Sequence, residues 1–325
     1  MSNPSGSDVH VDRPLNNVAI AFLQKVENYL FRAMFSEVPV EDKTGKFLTI
    51  PKGAWLRDGM KERAPGTEAE DVDFEANFDS TYACRRFDAK AKIPDEYRDN
   101  QTSPFNYDKA KTEFLTQQAL TKQERLWVSR FFTTGVWAND VTPSTLWSDA
   151  SSDLFADMAT AQRAILLATG RMPNKFGVSY DVHTQLKKHP DIIDRVKYVA
   201  GESFKLAIAP GAEVEKVLAE IFEVQKYVVG RSVYNSAAEG IATPVMAFNA
   251  GKDALLAYAP DTASLLEPSA GYQFRWKKFA GNAEGIRIKK YREEKIESDI
   301  IESAFSKDFK VCSSDCGYFF SGAVA

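Results

Sequence analysis

Apolar residues recur along this chain at two spacings, and the changes between them divide it. Residues 46–61 and 72–93 alternate apolar or small with polar, which predicts two long strands joined by the turn Ala64-Pro65-Gly66-Thr67. In the second strand the even positions carry the apolar set: Val72, Phe74, Ala76, Phe78, Tyr82 and Cys84. After Arg85-Arg86 the set moves to odd positions: Phe87, Ala89, Ala91 and Ile93. A strand has a side-chain period of two, so a one-residue change of phase implies a bulge that bends and twists the ribbon. A long, bent hairpin is marginal alone in water and calls for a partner surface.

Helical spacing governs other stretches. Phe22, Val26, Tyr29, Leu30 and Ala33 share one face of an amphipathic helix predicted over 14–35, ahead of a break at Val38-Pro39. The lead before it, 1–13, is rich in Ser, Asn, Pro and Gly and reads as mobile. A helix is predicted from Asp108 to Phe132 with no Pro or Gly inside it; its length is about 37 Å, twice the usual. Another spans 152–170, with Phe155, Met158, Ala159, Ile165, Leu166 and Thr169 on a face, Ser152 or Asp153 as cap and Gly170 as terminator. An alternating α/β region follows. It comprises a strand over 175–180, a helix over 181–188, a helical turn after His189-Pro190, a helix near 213–222, and strands over 225–234, 245–249 and 254–258. Strands and tight turns close the chain over 272–279, 285–291, 299–305, 310–312 and 317–320. The class is α+β.

At 325 residues the chain can bury one or two cores, and 44% hydrophobic with 26% charged residues is an ordinary globular composition. A formal charge of −4 argues against a dedicated binder of phosphates or anionic membranes. The charge is uneven, however. Residues 62–79 hold seven acids and one base, whereas 271–295 hold eight bases and three acids. Such runs are ordinarily solvated faces; here their opposite signs also fit one stretch lying against the other.

Candidate chemistry is sparse. The sequence contains no dinucleotide or phosphate loop, no nucleophile elbow, no His-Glu-x-x-His and no Cys-x-x-Cys. A Ser/His/Asp triad would have to use His183 or His189, which flank Lys187-Lys188 in a predicted helix-turn and read as solvated surface. Asp71, Asp73 and Glu75 fall on one face of a ribbon, about 7 Å apart in steps of two, rather than around a cleft. Three cysteines form no disulfide framework. Cys312 and Cys316 would come close in a tight hairpin, or stand about 13 Å apart along one strand. Reduced thiols, no metal and no cofactor are expected. The polar start shows no signal peptide, and the apolar run Val18–Leu23 is too short to span a bilayer.

The layout and several local phrases resemble the tailed-phage major capsid proteins of the Hong Kong 97 type. "RAPGTEAEDVDFEANFDSTYACRRFDAKAKIPDEYRDN" is similar to that family's extended loop leading to its spine helix. "ATGRMPNKFGVSYDVHTQLKKHPDIIDRVKY" resembles the opening of its axial domain, and "YVVGRSVYNSAAEG", "GKDALLAYAP" and "LLEPSAGYQFRW" resemble the axial strands and the return to the peripheral domain. "YREEKIESDIIESAF" followed by "DCGYFFSGAV" resembles its closing strands. Together these phrases cover most of 45–325.

The resemblance implies an amino-terminal arm (1–45), an extended β-hairpin loop (46–100), a peripheral domain with a spine helix (101–148 and 264–325) and an inserted axial domain (149–263). It implies a structural, non-enzymatic role: self-assembly through pentamers and hexamers into an icosahedral shell. That shell encloses double-stranded DNA without sequence-specific binding and touches no membrane. Portal and scaffolding proteins and a decoration protein are the implied partners, with assembly in the host bacterial cytoplasm and residence in the virion. In this family the extended loop lies over a neighbour's peripheral domain. Trp55, Arg63, Asp71, Asp73, Phe74, Glu75 and Phe78 are therefore the candidate intersubunit residues of the loop. Arg275, Trp276, Lys277, Arg287, Lys289 and Lys290 are their candidate counterparts. Some shells of the family crosslink a loop Lys to a neighbour's Asn; Lys52, Lys61 and Asn282 supply the atoms, but nothing in the sequence fixes a catalytic Glu beside them. The rival expectations are an encapsulin-like bacterial compartment with the same fold and a monomeric α/β enzyme.

Overall fold

The computed structural model describes residues 23–49, 52–74, 77–99, 106–200, 211–241, 243–264, 267–279 and 285–325. The elements in chain order begin with α1 (Phe31–Met34), β1 (Glu37–Val40), β2 (Thr44–Thr49), α2 (Lys52–Trp55), β3 (Asn77–Ala83), β4 (Arg85–Pro94) and α3 (Asp95–Asp99). Next come α4 (Tyr107–Phe131), β5 (Asn139–Val141), α5 (Leu154–Thr169), β6 (Lys175–Ser179), α6 (Tyr180–Leu186), α7 (Pro190–Ala200) and α8 (Gly211–Ile221). The remainder is β7 (Lys226–Gly230), β8 (Val233–Asn235), β9 (Met246–Phe248), β10 (Ala254–Ala257), β11 (Gly271–Trp276), β12 (Ile286–Glu293), β13 (Ser298–Val311) and β14 (Gly317–Phe320). The chain falls into two compact units: one takes in Arg86–Leu120 and Ala280–Phe305, the other Val26–Arg85, Thr121–Phe279 and Ser306–Ala325.

In the first unit, β12 runs antiparallel to the early part of β13, from Ile286 opposite Phe305 to Glu293 opposite Ser298. β4 also pairs with β13. Ile93, Leu115 and Ile301 form a buried cluster, with Ala91 and Tyr107 packed on it. Around it lies an ion network. Arg292 holds both carboxylate oxygens of Asp95 at 2.5 and 2.6 Å, and Lys290 reaches Asp108 at 2.8 Å and Asp299 at 3.3 Å.

In the second unit, a five-stranded sheet has the order β5-β14-β10-β6-β7. β6 and β10 are buried along their whole length, as near-continuous apolar strands covered on both faces must be. α5 matches its expected bounds and caps, but its buried face is Leu154, Met158, Ala161 and Ile165, and Ala159 and Leu166 of the expected face are exposed. Asp153 caps it by accepting the Ala156 amide at 3.0 Å, and Gly170 ends it in the left-handed region at φ 70°. α4, whose residues divide between the two units after Leu120, runs 25 residues; Asn106 accepts the Lys109 amide at 3.0 Å at its start.

The amino-terminal segment departs from expectation. The part of the predicted helix over 14–22 lies outside the described residues. The rest is a 3-10 turn at Val26–Asn28 and the single turn α1, not a continuous helix. The reason is a distant side chain. Glu124 on α4, fully buried, accepts the amides of Leu30 (2.9 Å) and Phe31 (3.0 Å) and the hydroxyl of Ser232 (3.0 Å). Gln273 donates to the carbonyls of Phe31 and Phe35, and Ser36 O accepts the Gln273 amide. With these backbone groups taken by tertiary partners, the helical ladder does not form there. β1 then runs parallel to β11, and Glu37 is held by Arg275 and by the buried Lys307, the latter at 2.6 Å.

His183 and His189 also correct the sequence reading, because both are buried rather than solvated. α6 is short, and Val182, His183 and Leu186 all face inward. His183 Nδ1 meets the Tyr227 hydroxyl at 3.0 Å, and burial pushes the imidazole down to about 4, so it is neutral.

Burial pushes the Glu124 carboxyl up to about 7, against the opposing pull of its three hydrogen bonds. A carboxyl with a folded value above its unfolded one retains its proton in the native state while the unfolded chain has released it. The stabilisation from this group is therefore complete below about 4.5 and is lost as pH rises toward 7, by up to about 3 kcal/mol. E124Q is expected to flatten that slope; unfolding midpoints of both proteins measured between pH 4.5 and 8 check it.

Candidate intersubunit ribbon

The ribbon is rooted firmly. β2 and β3 pair antiparallel from Thr44 opposite Ala83 to Thr49 opposite Asn77, with a register shift between Phe47 and Thr49. Phe274 on β11 stacks on Tyr82, ring centroids 4.7 Å apart at 14°, and meets Phe47 at 5.4 Å. The Asp308 carboxylate accepts the Ala83 amide at 2.8 Å. The predicted change of phase is present. Ser80, Tyr82 and Cys84 point inward before it, Phe87, Ala91 and Ile93 after it, and the strand breaks at the buried Cys84.

Above the root the structure corrects the two long strands expected over 46–61 and 72–93. Residues 52–55 are the helical turn α2, and no ladder joins the arms beyond Thr49 and Asn77 among the described residues. The arms nevertheless stay together through side chains. Trp55 meets Phe74 edge-on at 5.6 Å, Gly59 lies against the Val72 methyls, and Lys61 bonds Glu70 at 2.6 Å. The tip closes with the Thr67 amide on Ala64 O at 3.3 Å and Gly66 at φ 87°. Between Thr49 and Lys61 the outgoing arm has eleven residues, while the returning arm has six between Glu70 and Asn77. The four residues of α2 take up about two of the five extra residues, because the rise there is about 1.5 Å per residue rather than about 3.3 Å. The unequal arms put the backbones out of register beyond Thr49. Lys52 ties α2 down by an ion pair to Asp315 at 2.6 Å.

The ribbon's apolar side chains find little cover. Met60 is 91% exposed, Val72 67%, Leu56 61%, Trp55 and Phe78 54% and Phe74 45%. Six large apolar residues exposed along one excursion have the composition of a candidate interaction surface. Leu56 and Met60 were not among the candidates picked from sequence, although they share one phase of the alternation. Of the candidates that were, Trp55 and Phe74 come together, Arg63, Asp71 and Asp73 are exposed, and Phe78 is exposed on β3. Glu75 lies outside the described residues.

The basic candidates are largely committed within their own chain. Arg275 pairs with Glu37, Lys277 with Glu41 at 2.6 Å, and Lys290 with Asp108 and Asp299. Trp276 donates to Glu41 O at 3.0 Å and stacks on Phe279. Arg287 and Lys289 lie on β12, with Lys289 exposed.

One cluster has the composition of a catalytic triad but not its geometry. Ser152 Oγ lies 3.0 Å from His189 Nε2, yet Asp191 stands 3.8 Å from Nδ1, beyond hydrogen-bond reach. The Ser152 hydroxyl also donates to Asp149 O at 2.8 Å, and Ser152 and His189 are both sealed from solvent. This is a packed polar contact at the start of α7. Cys312 and Cys316 are free, and burial pushes their thiols up to about 12 and about 11, which keeps them protonated. Among the described residues no group of His, Cys, Asp or Glu could hold a metal, and no helix is long and apolar enough to cross a membrane.

Comparison with known proteins places this architecture. No family model matches the sequence. The chain is 25% identical over 322 residues to the major capsid protein of Burkholderia phage BcepMu, covering 96% of each chain. It superimposes on a phage-related protein from Bordetella bronchiseptica RB50 with TM-score 0.65 at 22% identity, covering 92% of this chain and 93% of that one. It matches the mature capsid of bacteriophage PhiM1 with TM-score 0.60 at 15% identity, covering 96% and 92%. The chain has the Hong Kong 97-like fold of tailed-phage major capsid proteins across nearly its whole length.

The ribbon's apolar residues support little within the chain itself. W55A and F74A are each expected to change subunit stability by only about 1 kcal/mol, the scale of one exposed aromatic pair. Each should lower particle yield at least tenfold, read by sedimentation beside the unfolding midpoint.

Proposed function

We infer that this chain is a structural major capsid protein whose copies build a closed shell, each laying its ribbon on a neighbouring copy. The carrying observation is the ribbon itself: firmly rooted, held together by side-chain rungs, and exposing six large apolar residues on a chain with a phage-capsid fold. Burying such a side chain gains about 1.5–3 kcal/mol, whereas an exposed ion pair gains about 0.2–1 kcal/mol. Trp55, Phe74 and their apolar neighbours are the anchors, and the acids set register and encounter. Repetition of modest contacts around a shell makes the assembly stable.

The finer assignments belong to the same reading. Residues 1–45 form the arm, 46–100 the extended loop, 101–148 with 264–325 the peripheral domain and 149–263 the axial domain. Pentamers and hexamers of this one chain enclose double-stranded DNA, for which a mildly acidic protein is suited because it does not grip phosphates. Portal, scaffolding and decoration proteins complete the particle. It is assembled in the host bacterial cytoplasm and carries no enzymatic activity of this chain.

Electron microscopy of the purified protein, with nuclease treatment of the particles, tests this function. Hollow icosahedral particles holding nuclease-resistant DNA are expected when the chain is produced with its phage partners. Particles filled with protein cargo would indicate a bacterial compartment instead. A 36 kDa species that stays monomeric under every assembly condition would sink the shell-forming reading.

A further inference from the structure

The Glu124 carboxyl is met by donors alone among the described residues. Oε1 accepts the Leu30 amide at 2.9 Å and the Ser232 hydroxyl at 3.0 Å, and Oε2 accepts the Phe31 amide at 3.0 Å. The Ser232 oxygen in turn accepts the Asn249 side-chain amide at 3.0 Å, so the set of donors is closed when the carboxyl is ionised. Yet the group is fully buried, and no cation pairs with it among the described residues.

The charged groups around it are engaged elsewhere or face water. Between β7 and β8, Arg231 pairs with Glu215 at 2.5 Å. Lys307 on β13 pairs with Glu37 at 2.6 Å, and Arg275 on β11 joins the same carboxylate. On α4 itself Arg125 lies over the Tyr234 ring at 4.5 Å and Lys122 is exposed. Glu27 and Arg32 beside the held amides are exposed, as is Lys252 beyond β9.

Two opposing pulls therefore act on one proton. Burial without a cation opposes the charge, the three donors favour it, and the balance sets the carboxyl at about 7. When the segment leaves, two of the donors go with it and water reaches the group, which returns toward its ordinary value of 4.5. The docked segment thus binds the proton more tightly than the released one. Docking is then strongest below about 4.5 and weakens as pH rises through about 7. A proton on Oε1 finds its acceptor in the second lone pair of Ser232, whose own hydrogen turns away.

We propose that Glu124 is a proton-operated latch on the amino-terminal segment: residues 30–36 dock tightly while the carboxyl holds its proton, and open locally more often once the proton leaves. The segment leads directly into β1, so the latch governs entry to the ribbon root within a single subunit, whether or not shells form.

Hydrogen exchange on the full-length subunit tests this, with rates corrected for the intrinsic effect of pH. Protection of the Leu30 and Phe31 amides should fall about tenfold from pH 6 to pH 8.5 and should not change in E124Q. Amides of α5 should stay better protected than this segment at both pH values. Unchanged protection in the unsubstituted protein, or a tenfold fall that persists in E124Q, overturns the latch. So does equal protection of the segment and α5 falling together, which would mean global unfolding. Infrared titration of the unsubstituted protein follows the proton without a variant. One carboxylic acid should lose its C=O stretch near pH 7, apart from the exposed acids that do so below about 5. A titration with no such step leaves no proton to operate a latch, and the proposal falls.

Discussion

A carboxyl group sealed from water in the second half of a long helix fixes the path of the chain before the ribbon. Glu124 could not remain inside without donors, and they come from segments 94 and 108 residues away: the amides of Leu30 and Phe31 and the hydroxyl of Ser232. Gln273 completes the fastening from β11 by holding the carbonyls of the same segment. Once Leu30–Ser36 is held, β1 is delivered parallel to β11, and β2 begins a few residues later at the root of the ribbon. Removing the acceptor would leave buried amides unsatisfied, each costing about 1–3 kcal/mol.

The ribbon divides into a satisfied half and an unsatisfied half. At its root, backbone pairs and the Phe274 sandwich make it part of the second unit. Beyond Thr49 one arm is five residues longer than the other and carries the helical turn α2, and no ladder continues among the described residues. What remains is an excursion ordered by side chains and edged with aromatic and aliphatic groups in water. On the proposed function, that surface is completed by association rather than by the chain's own core.

Electrostatics has a smaller part than the charge pattern suggests. Three of the five basic candidates already neutralise acids of their own chain, and the acidic arm is exposed, where single pairs contribute little. In the proposed docking of one copy on another, charge selects alignment and apolar contact supplies the adhesion.

The sequence by itself determined those elements whose signals are local. α4 and α5 were legible to within a residue or two, because periodicity, caps and the absence of Pro and Gly act over one or two turns. The phase change near Arg85 was legible because alternation is a property of adjacent residues. So was the oddity of an acidic, aromatic arm with little to fold against. Tertiary structure alone decided the rest. Over its described residues the predicted amino-terminal helix is a 3-10 turn and one α-helical turn because the amides of Leu30 and Phe31 answer to Glu124, and His183 went inside because Tyr227 awaits it. Among the described residues the hairpin ladder ends at Thr49, because unequal arms matter only when two arms are brought side by side. Each of these outcomes depends on a group far away in the chain, and no local pattern can record where such a group will stand.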